Sequence, residues 1–238
     1  MQKELIVENK KITIVYNSKS NQKQIPVIIL NTYDEDGQDI WNKVKELSNK
    51  DYILVTISNI NWNKEMSPWY MDRLFKGEED YIGDTDKYLE VLTNKIIPMI
   101  KKVIQEELKI NDLYFILGGY SLAGLFAIYS LFKTNLFQSI ISCSGSMWYP
   151  NFINYINSHE LKIIPDKVYL SLGDKESNSK NKLMSQVKDK TTMVYNYFLN
   201  KEVEIIYEEN EGNHFQNVTL RIAKGIAWIL EMDGEDNV

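Results

Sequence analysis

The sequence predicts an α/β fold in one domain spanning 1–238: a mostly parallel central sheet, helices on both faces, and antiparallel strands at the N-terminal edge. Two observations carry this. Extended runs rich in β-branched residues alternate with helical patterns along most of the chain, which is how strand-helix-strand units and a parallel sheet look in sequence. The 238 residues, 44% apolar and 25% charged, are enough to bury one sizeable core and too few to demand two.

The opening departs from the alternation. Leu5 to Val7 and Lys11 to Tyr16 read as two short strands with Asn9-Lys10 near the turn, an antiparallel hairpin at the sheet edge. Ile25 to Leu30 is a buried-type strand, followed by a polar loop at Thr32 to Gln38 and a helix over Asp39 to Leu47. Tyr52 to Ile57 is the next strand. A long loop, Ser58 to Gly83, then carries Trp62, Pro68, Trp69, Tyr70 and Phe75, and loops of that length usually have a function. Thr85 is placed to cap a helix running to Glu107, with Leu89, Leu92, Ile96, Ile100 and Val103 on one face and Pro98 as a kink. Strands at Leu113 to Leu117, Ser139 to Ser142, Val168 to Leu172 and Val203 to Tyr207 follow, with helices at Leu122 to Phe132, Asn181 to Asn200 and Phe215 to Glu231. No internal repeat or low-complexity linker interrupts them.

Composition excludes several classes. Twenty-seven Lys and Arg against 33 Asp and Glu leave a net charge of −6, scattered without a basic stripe, which disfavours nucleic-acid binding. No apolar run approaches a membrane span, the first residues lack a secretory signal, and the one cysteine cannot form an internal disulfide, so a cytoplasmic protein is expected. Two histidines far apart and one cysteine offer no metal-ligand spacing, and no phosphate-binding loop occurs, so neither a metal nor a cofactor is expected. Oligomeric state is not legible.

The strongest chemical signal is Leu117-Gly118-Gly119-Tyr120-Ser121-Leu122-Ala123-Gly124, lying between a predicted strand and a predicted helix. A serine on a sharp strand-to-helix turn needs small residues two before and two after it, so that strand and helix can pass closely; Gly119 and Ala123 meet that demand. The turn aims the Leu122 amide at the place where a tetrahedral oxyanion would form, and Tyr33, with Thr32 as its neighbour, is the candidate second donor. A serine nucleophile needs a base. His159, in a polar stretch, reads as surface, whereas His214 follows the last predicted strand in Gly212-Asn213-His214-Phe215 and is the candidate. The segment Leu172-Gly173-Asp174-Lys175-Glu176 offers two acids, Asp174 and Glu176, on opposite sides of an extended run, so that one can reach the imidazole. Cys143, inside a predicted buried strand, reads as packing rather than as a nucleophile.

The glycine-rich serine turn, the Ser142-Cys143-Ser144-Gly145-Ser146-Met147-Trp148 stretch, the Leu172 to Glu176 turn and the Gly212 to Phe215 end resemble the putative esterase (esterase D-like) family of α/β-hydrolases, over most of the chain from Ile25 onward. The resemblance implies ester or thioester hydrolysis by Ser121 and His214. It favours Glu176 over Asp174, since an acid three residues past the strand-end glycine is the commoner arrangement in the superfamily, although some members resemble a Ser-His dyad. Siderophore trilactone esterases, feruloyl and acetyl esterases and S-formylglutathione hydrolases all belong to it. Only Arg73 and Arg221 are available to hold a strongly anionic siderophore, and the long loop carries Glu65, Asp72, Glu78, Glu79 and Asp80, softened by Lys64 and Lys76. A small neutral acyl or aryl ester therefore ranks first, with Trp62, Trp69, Tyr70, Tyr120 and Trp148 as candidate substrate-binding residues. The rival from another class is a non-catalytic binding protein that keeps the fold and has lost turnover.

Overall fold

The computed structural model describes residues 1–17, 24–33 and 37–231; part of the polar loop expected at Thr32 to Gln38 lies outside them. Eight strands form one sheet: β1 (Gln2–Val7), β2 (Lys10–Val15), β3 (Gln24–Asn31), β4 (Ile53–Ser58), β5 (Asp112–Tyr120), β6 (Ser139–Cys143), β7 (Lys167–Gly173) and β8 (Glu204–Asn210). Their spatial order is β1-β2-β4-β3-β5-β6-β7-β8. The β1/β2 and β2/β4 pairs are antiparallel and every later pair is parallel, the edge hairpin and parallel sheet that the sequence predicts. The hairpin turn is Glu8-Asn9, one residue earlier than the sequence suggests. Both have positive φ (49° and 62°), the backbone twist that joins two-residue hairpins, and this leaves Lys10 to open β2.

Alternate side chains of each strand feed two cores, as the two-residue period requires. Ile25, Val27 and Ile29 of β3 face one core, and Ile28 and Leu30 the other. Helix α1 (Gln38–Leu47) covers the second face through Ile40, Trp41 and Val44. After β4 the long loop holds a single capped turn, α2 (Trp62–Glu65), with Asn61 as its N-cap. The predicted long helix is α3 (Thr85–Val91), a π-turn at Leu92–Ile96 and α4 (Ile97–Leu108) in succession. The wider turn lies just before Pro98, whose ring would otherwise press on the carbonyl four residues back, so the chain continues instead of breaking. The cap is Asp84 rather than Thr85, whose hydroxyl instead donates to the Glu65 carbonyl and ties the helix to the long loop.

Helix α5 (Leu122–Ser130) is buried at every position, which accounts for its apolar composition all round. A short helix that the sequence reading lacks, α6 (Phe152–Ser158), follows β6. The expected helix over Asn181 to Asn200 is shorter, α7 (Val187–Leu199), because the Asn181 side chain accepts the Leu183 and Met184 amides and holds the preceding segment in tight turns. The last helix, α8 (Val218–Leu230), starts three residues later than expected, after Asn217 with φ 58°.

Helix α8 lies on β6 and β7 at Gly225, where an added Cβ would come 2.7 Å from both Ile141 Cγ2 and the Tyr169 ring. Alanine is the better helix former by about 1 kcal/mol, but overpacking a closed core costs about 1–3 kcal/mol. Gly225→Ala is therefore expected to lower the denaturant midpoint at unchanged m-value; a rise would show that this contact relaxes freely.

Candidate active site

The Ser121 turn is enforced by steric closeness. A Cβ placed on Gly119 would lie 2.5 Å from Ala123 Cβ and 2.6 Å from its backbone carbonyl carbon, so position 119 must be glycine, whereas alanine at 123 is compatible with the turn. Ser121 itself adopts φ 58° and ψ −123°, a backbone region that side chains disfavour. Hydrogen bonds hold it there: its amide donates to Cys143 O at 3.1 Å, and its carbonyl accepts the Ser146, Gly124 and Leu125 amides at 3.0–3.1 Å. The hydroxyl is half-buried and rests 3.4 Å from Ser146 Oγ, its one hydrogen-bond partner among the described residues.

Leu122 opens α5, and a first-turn amide has no partner within its own helix, so its N–H is free to face an oxyanion. Of the two candidates after β3, Thr32 has its amide committed to Ile57 O at 2.9 Å, whereas the Tyr33 amide bonds no described residue. The Tyr33 ring is largely exposed and meets Trp62 edge-on at 5.8 Å.

His214 stands in the loop between β8 and α8, with its Nδ1 2.7 Å from Glu176 Oε2. Its carbonyl accepts the Tyr120 hydroxyl at 2.8 Å, and the two rings lie 5.3 Å apart, which sets the histidine beside the residue that precedes Ser121. Of the two acids left open by the sequence, Glu176 meets the imidazole, while Asp174 accepts the Gly212 amide at 2.8 Å and braces the backbone of the histidine loop. Glu176 Oε1 accepts the Gly173 amide and the Ser144 hydroxyl at 2.7 Å each, and Arg221 Nη1 lies 2.9 Å away. Burial pushes this carboxyl up, yet the hydrogen bonds from His214, Ser144 and Gly173 outweigh it and hold the group below its ordinary value. Burial raises the Tyr120 phenol to about 12, so that hydroxyl stays a donor. Cys143 is fully buried and its thiol is raised to about 12, also by burial, in keeping with packing. His159 is exposed and stacked on Tyr155, as a surface residue.

Residues 9–215 match the sequence model of the putative esterase family. The chain belongs to that family. A curated relative, the uncharacterized protein YbbA of Bacillus subtilis, is 25% identical over 211 residues, 83% of this chain and 84% of its own. Among solved structures, the fold is similar to an IroE-like serine hydrolase from Shewanella oneidensis, with TM-score 0.76 and 17% identity over 97% of this chain and 79% of that one. It is also similar to the siderophore hydrolase EstA from Aspergillus nidulans, with TM-score 0.67 and 16% identity over 98% and 95%. This esterase thus has the α/β-hydrolase fold.

The candidate substrate residues of the esterase divide. Trp62 and Tyr33 border an open groove of about 600 Å³ that is also lined by Asn59, Asn61, Asn63 and Glu78. Tyr70 is exposed and its hydroxyl donates to Asp72. Trp69 instead anchors the long loop: its ring N–H donates to Pro150 O at 2.9 Å and its carbonyl accepts the Tyr149 hydroxyl at 2.7 Å. Trp148 is buried, packed on Tyr149, and Tyr120 directs its hydroxyl into the histidine loop instead of the groove. Ser144, Ser146 and Arg221 are the members that motif reading does not supply. Among the described residues no three His, Cys, Asp or Glu side chains converge as a metal site would require, and no helix is long and apolar enough to cross a membrane.

Two outcomes follow from this geometry. Alanine ordinarily stabilises relative to glycine by about 0.5–1 kcal/mol, but backbone strain at a residue like Ser121 costs about 1–3 kcal/mol. Ser121→Gly is therefore expected to unfold at higher denaturant than Ser121→Ala; the ordinary order would mean that the turn is unstrained. The lowered Glu176 carboxyl contributes stability that is complete above the unfolded glutamate value of ~4.3 and is lost as pH falls through its lower folded value. The stability gap between wild type and Glu176→Gln should accordingly be constant above about pH 5 and shrink below about pH 4, as urea titrations across that range would register.

Proposed function

We propose that this esterase is a serine carboxylic-ester hydrolase, acting as one domain through an acyl-enzyme, with Ser121 as nucleophile, His214 as base and Glu176 as the acid that orients it. One observation carries the reading: the 2.7 Å His214–Glu176 hydrogen bond is set beside Tyr120, the residue before the strained Ser121 at the strand-helix turn. With Nδ1–H donated to Glu176, the imidazole keeps Nε2 as the free basic nitrogen. Ser121 exchanges its contact with Ser146 for that nitrogen, loses its proton to it and attacks the ester carbonyl. The oxyanion is met by the Leu122 and Tyr33 amides. The imidazolium then protonates the departing alcohol as the carbonyl–oxygen bond breaks. Water repeats the sequence on the acyl-serine, releasing the acid and returning the proton to Ser121. A thioester would be cleaved by the same steps with a thiol leaving.

The groove between Tyr33 and Trp62 opens next to the proposed oxyanion donor and suits a small acyl or aryl group. Several of the similar structures are named as siderophore, enterobactin or enterochelin hydrolases or esterases, so a strongly anionic trilactone is the reading to weigh against it. The charges favour a neutral ester. Arg221 is fully buried, Arg73 is paired with Asp80 at 2.9 Å, and Glu78 and Glu79 line the groove. A fold with one buried cysteine and no disulfide suits the reducing cytoplasm.

A fluorophosphonate probe should label Ser121 in the wild type and label His214→Ala at least about 100-fold more slowly; absence of labelling in the wild type would favour a binding protein without turnover. On p-nitrophenyl acetate, kcat/KM should exceed that on a catecholate trilactone, and Trp62→Ala should raise KM with little change in kcat. The opposite substrate order would overturn the neutral-ester reading and leave the serine mechanism standing.

A further inference from the structure

Among the described residues the largest fully buried side chain is Arg221, a charge on the first turn of α8 where the surrounding helix is apolar. A guanidinium cannot be left in such a place without partners. Its Nη1 lies 2.9–3.0 Å from Glu176 Oε1, Ser144 Oγ and the Tyr120 hydroxyl. Its Nη2 donates to the carbonyls of Glu211 and Asn213 at 3.1 Å, the backbone that leads directly into His214.

We infer that Arg221 is a positioning residue that sets the base and its acid in one frame, an inference that rests on the triad reading above. One arm of the fork holds the acid and the other holds the loop of the base, so the Glu176–His214 separation is fixed by a single rigid plane. The arrangement also decides which oxygen does what. Oε1 is occupied by Gly173, Ser144 and Arg221, leaving Oε2 for the imidazole. Lysine cannot reproduce this, since its three protons radiate from one atom whereas the contacts fall in two directions from two nitrogens.

A second feature independently marks the place as built for the guanidinium. Gly173, at the end of β7, would with a Cβ come 2.7 Å from Nη2 and 3.1 Å from Nη1 and would press on the Gly212 carbonyl. The strand end is bare where the arginine lies. The backbone of the histidine loop passes over the same spot, its Gly212 amide held by Asp174 and its Gly212 carbonyl by the Lys175 amide.

The test separates positioning from folding by comparing the extent of labelling with the rate. For wild type, Arg221→Lys, Gly173→Ala and the charge-balanced double variant Glu176→Gln/Arg221→Met, one aliquot is reacted to completion with a fluorophosphonate to count competent sites and a separate, untreated aliquot is assayed on p-nitrophenyl acetate. A positioning role predicts nearly one titratable site per chain in Arg221→Lys and Gly173→Ala, with kcat per titratable site reduced about 10- to 100-fold and KM within about threefold. The double variant, with no unpaired buried charge, should also titrate to nearly one site per chain, so that folding survives loss of the pair. If the single variants show fewer titratable sites that each turn over at the wild-type rate, or if any of the variants titrates fully and is as fast as wild type, the inference is overturned. A wild type that neither labels nor depends on His214 would sink the triad reading itself, and is distinguished by that result alone.

Discussion

The ionised carboxylate of Glu176 is the constraint around which the candidate site is arranged. Its side chain is 3% exposed, and a charge so far from water is tolerable only when countercharge and hydrogen bonds replace its hydration. Four donors do so, and each comes from a different part of the chain: the end of β7, the turn after β6, the loop before α8 and α8 itself. Solvating one anion thereby draws together segments that are otherwise joined only through the sheet. This is a reason for the histidine to stand where it does, since the imidazole is one of the four groups the carboxylate requires.

The opposing half of the site follows from the sheet. Parallel strands β5 and β6 end at the same edge, so the Ser121 turn and the Ser144–Ser146 turn meet there, and the Ser146 amide closes on the Ser121 carbonyl. That link is part of what holds ψ of Ser121 at −123°. The strain at Ser121 is therefore borne by the neighbouring strand's turn rather than by its own turn alone, which is how a disfavoured backbone persists in a folded chain. Ser144 also has positive φ (47°), so two successive strands turn sharply at this rim and leave their first loop residues facing one another.

How much of this is legible in the sequence depends on the range of the cause. The parallel sheet, the elbow and the apolar helices are visible because they are written in local periodicity and in the spacing of Gly119, Ser121 and Ala123. The contact of Glu176 with His214 is visible only as a choice between two acids, because loop geometry decides which carboxylate turns inward. Asp174 turns back to the Gly212 amide, and nothing in its local sequence says so. Arg221 is the instructive omission. Counted as one of two arginines, it reads as a surface cation; read as a lone charge within Val218-Thr219-Leu220-Arg221-Ile222-Ala223, it already asks for a buried partner, and Glu176 is that partner. The aromatics are ambiguous in sequence for the converse reason. Trp69 and Trp148 have the composition of a binding wall, but aromatic side chains also pin long loops, and only their hydrogen bonds and burial separate the two uses.

The long loop after β4 is fastened at both ends and in its middle, and this bears on how a ligand would meet the groove. Lys10 of β2 clasps Glu65 at 2.6 Å, Trp69 is tied to Pro150, a bridge joins Met71 to Tyr81, and Gly83 packs against the Trp69 backbone so closely that a Cβ would lie 2.5 Å from it. Each contact removes freedom from a segment that would otherwise lose it on binding. The wall formed by Asn61, Trp62 and Asn63 is thus largely ordered before a ligand arrives, and the entropy of arranging it belongs to folding, not to recognition. Where Glu176 fixes the histidine loop by demanding partners, this loop fixes the groove by being tied down, so the candidate site and the groove wall are held in place by separate sets of contacts on one sheet.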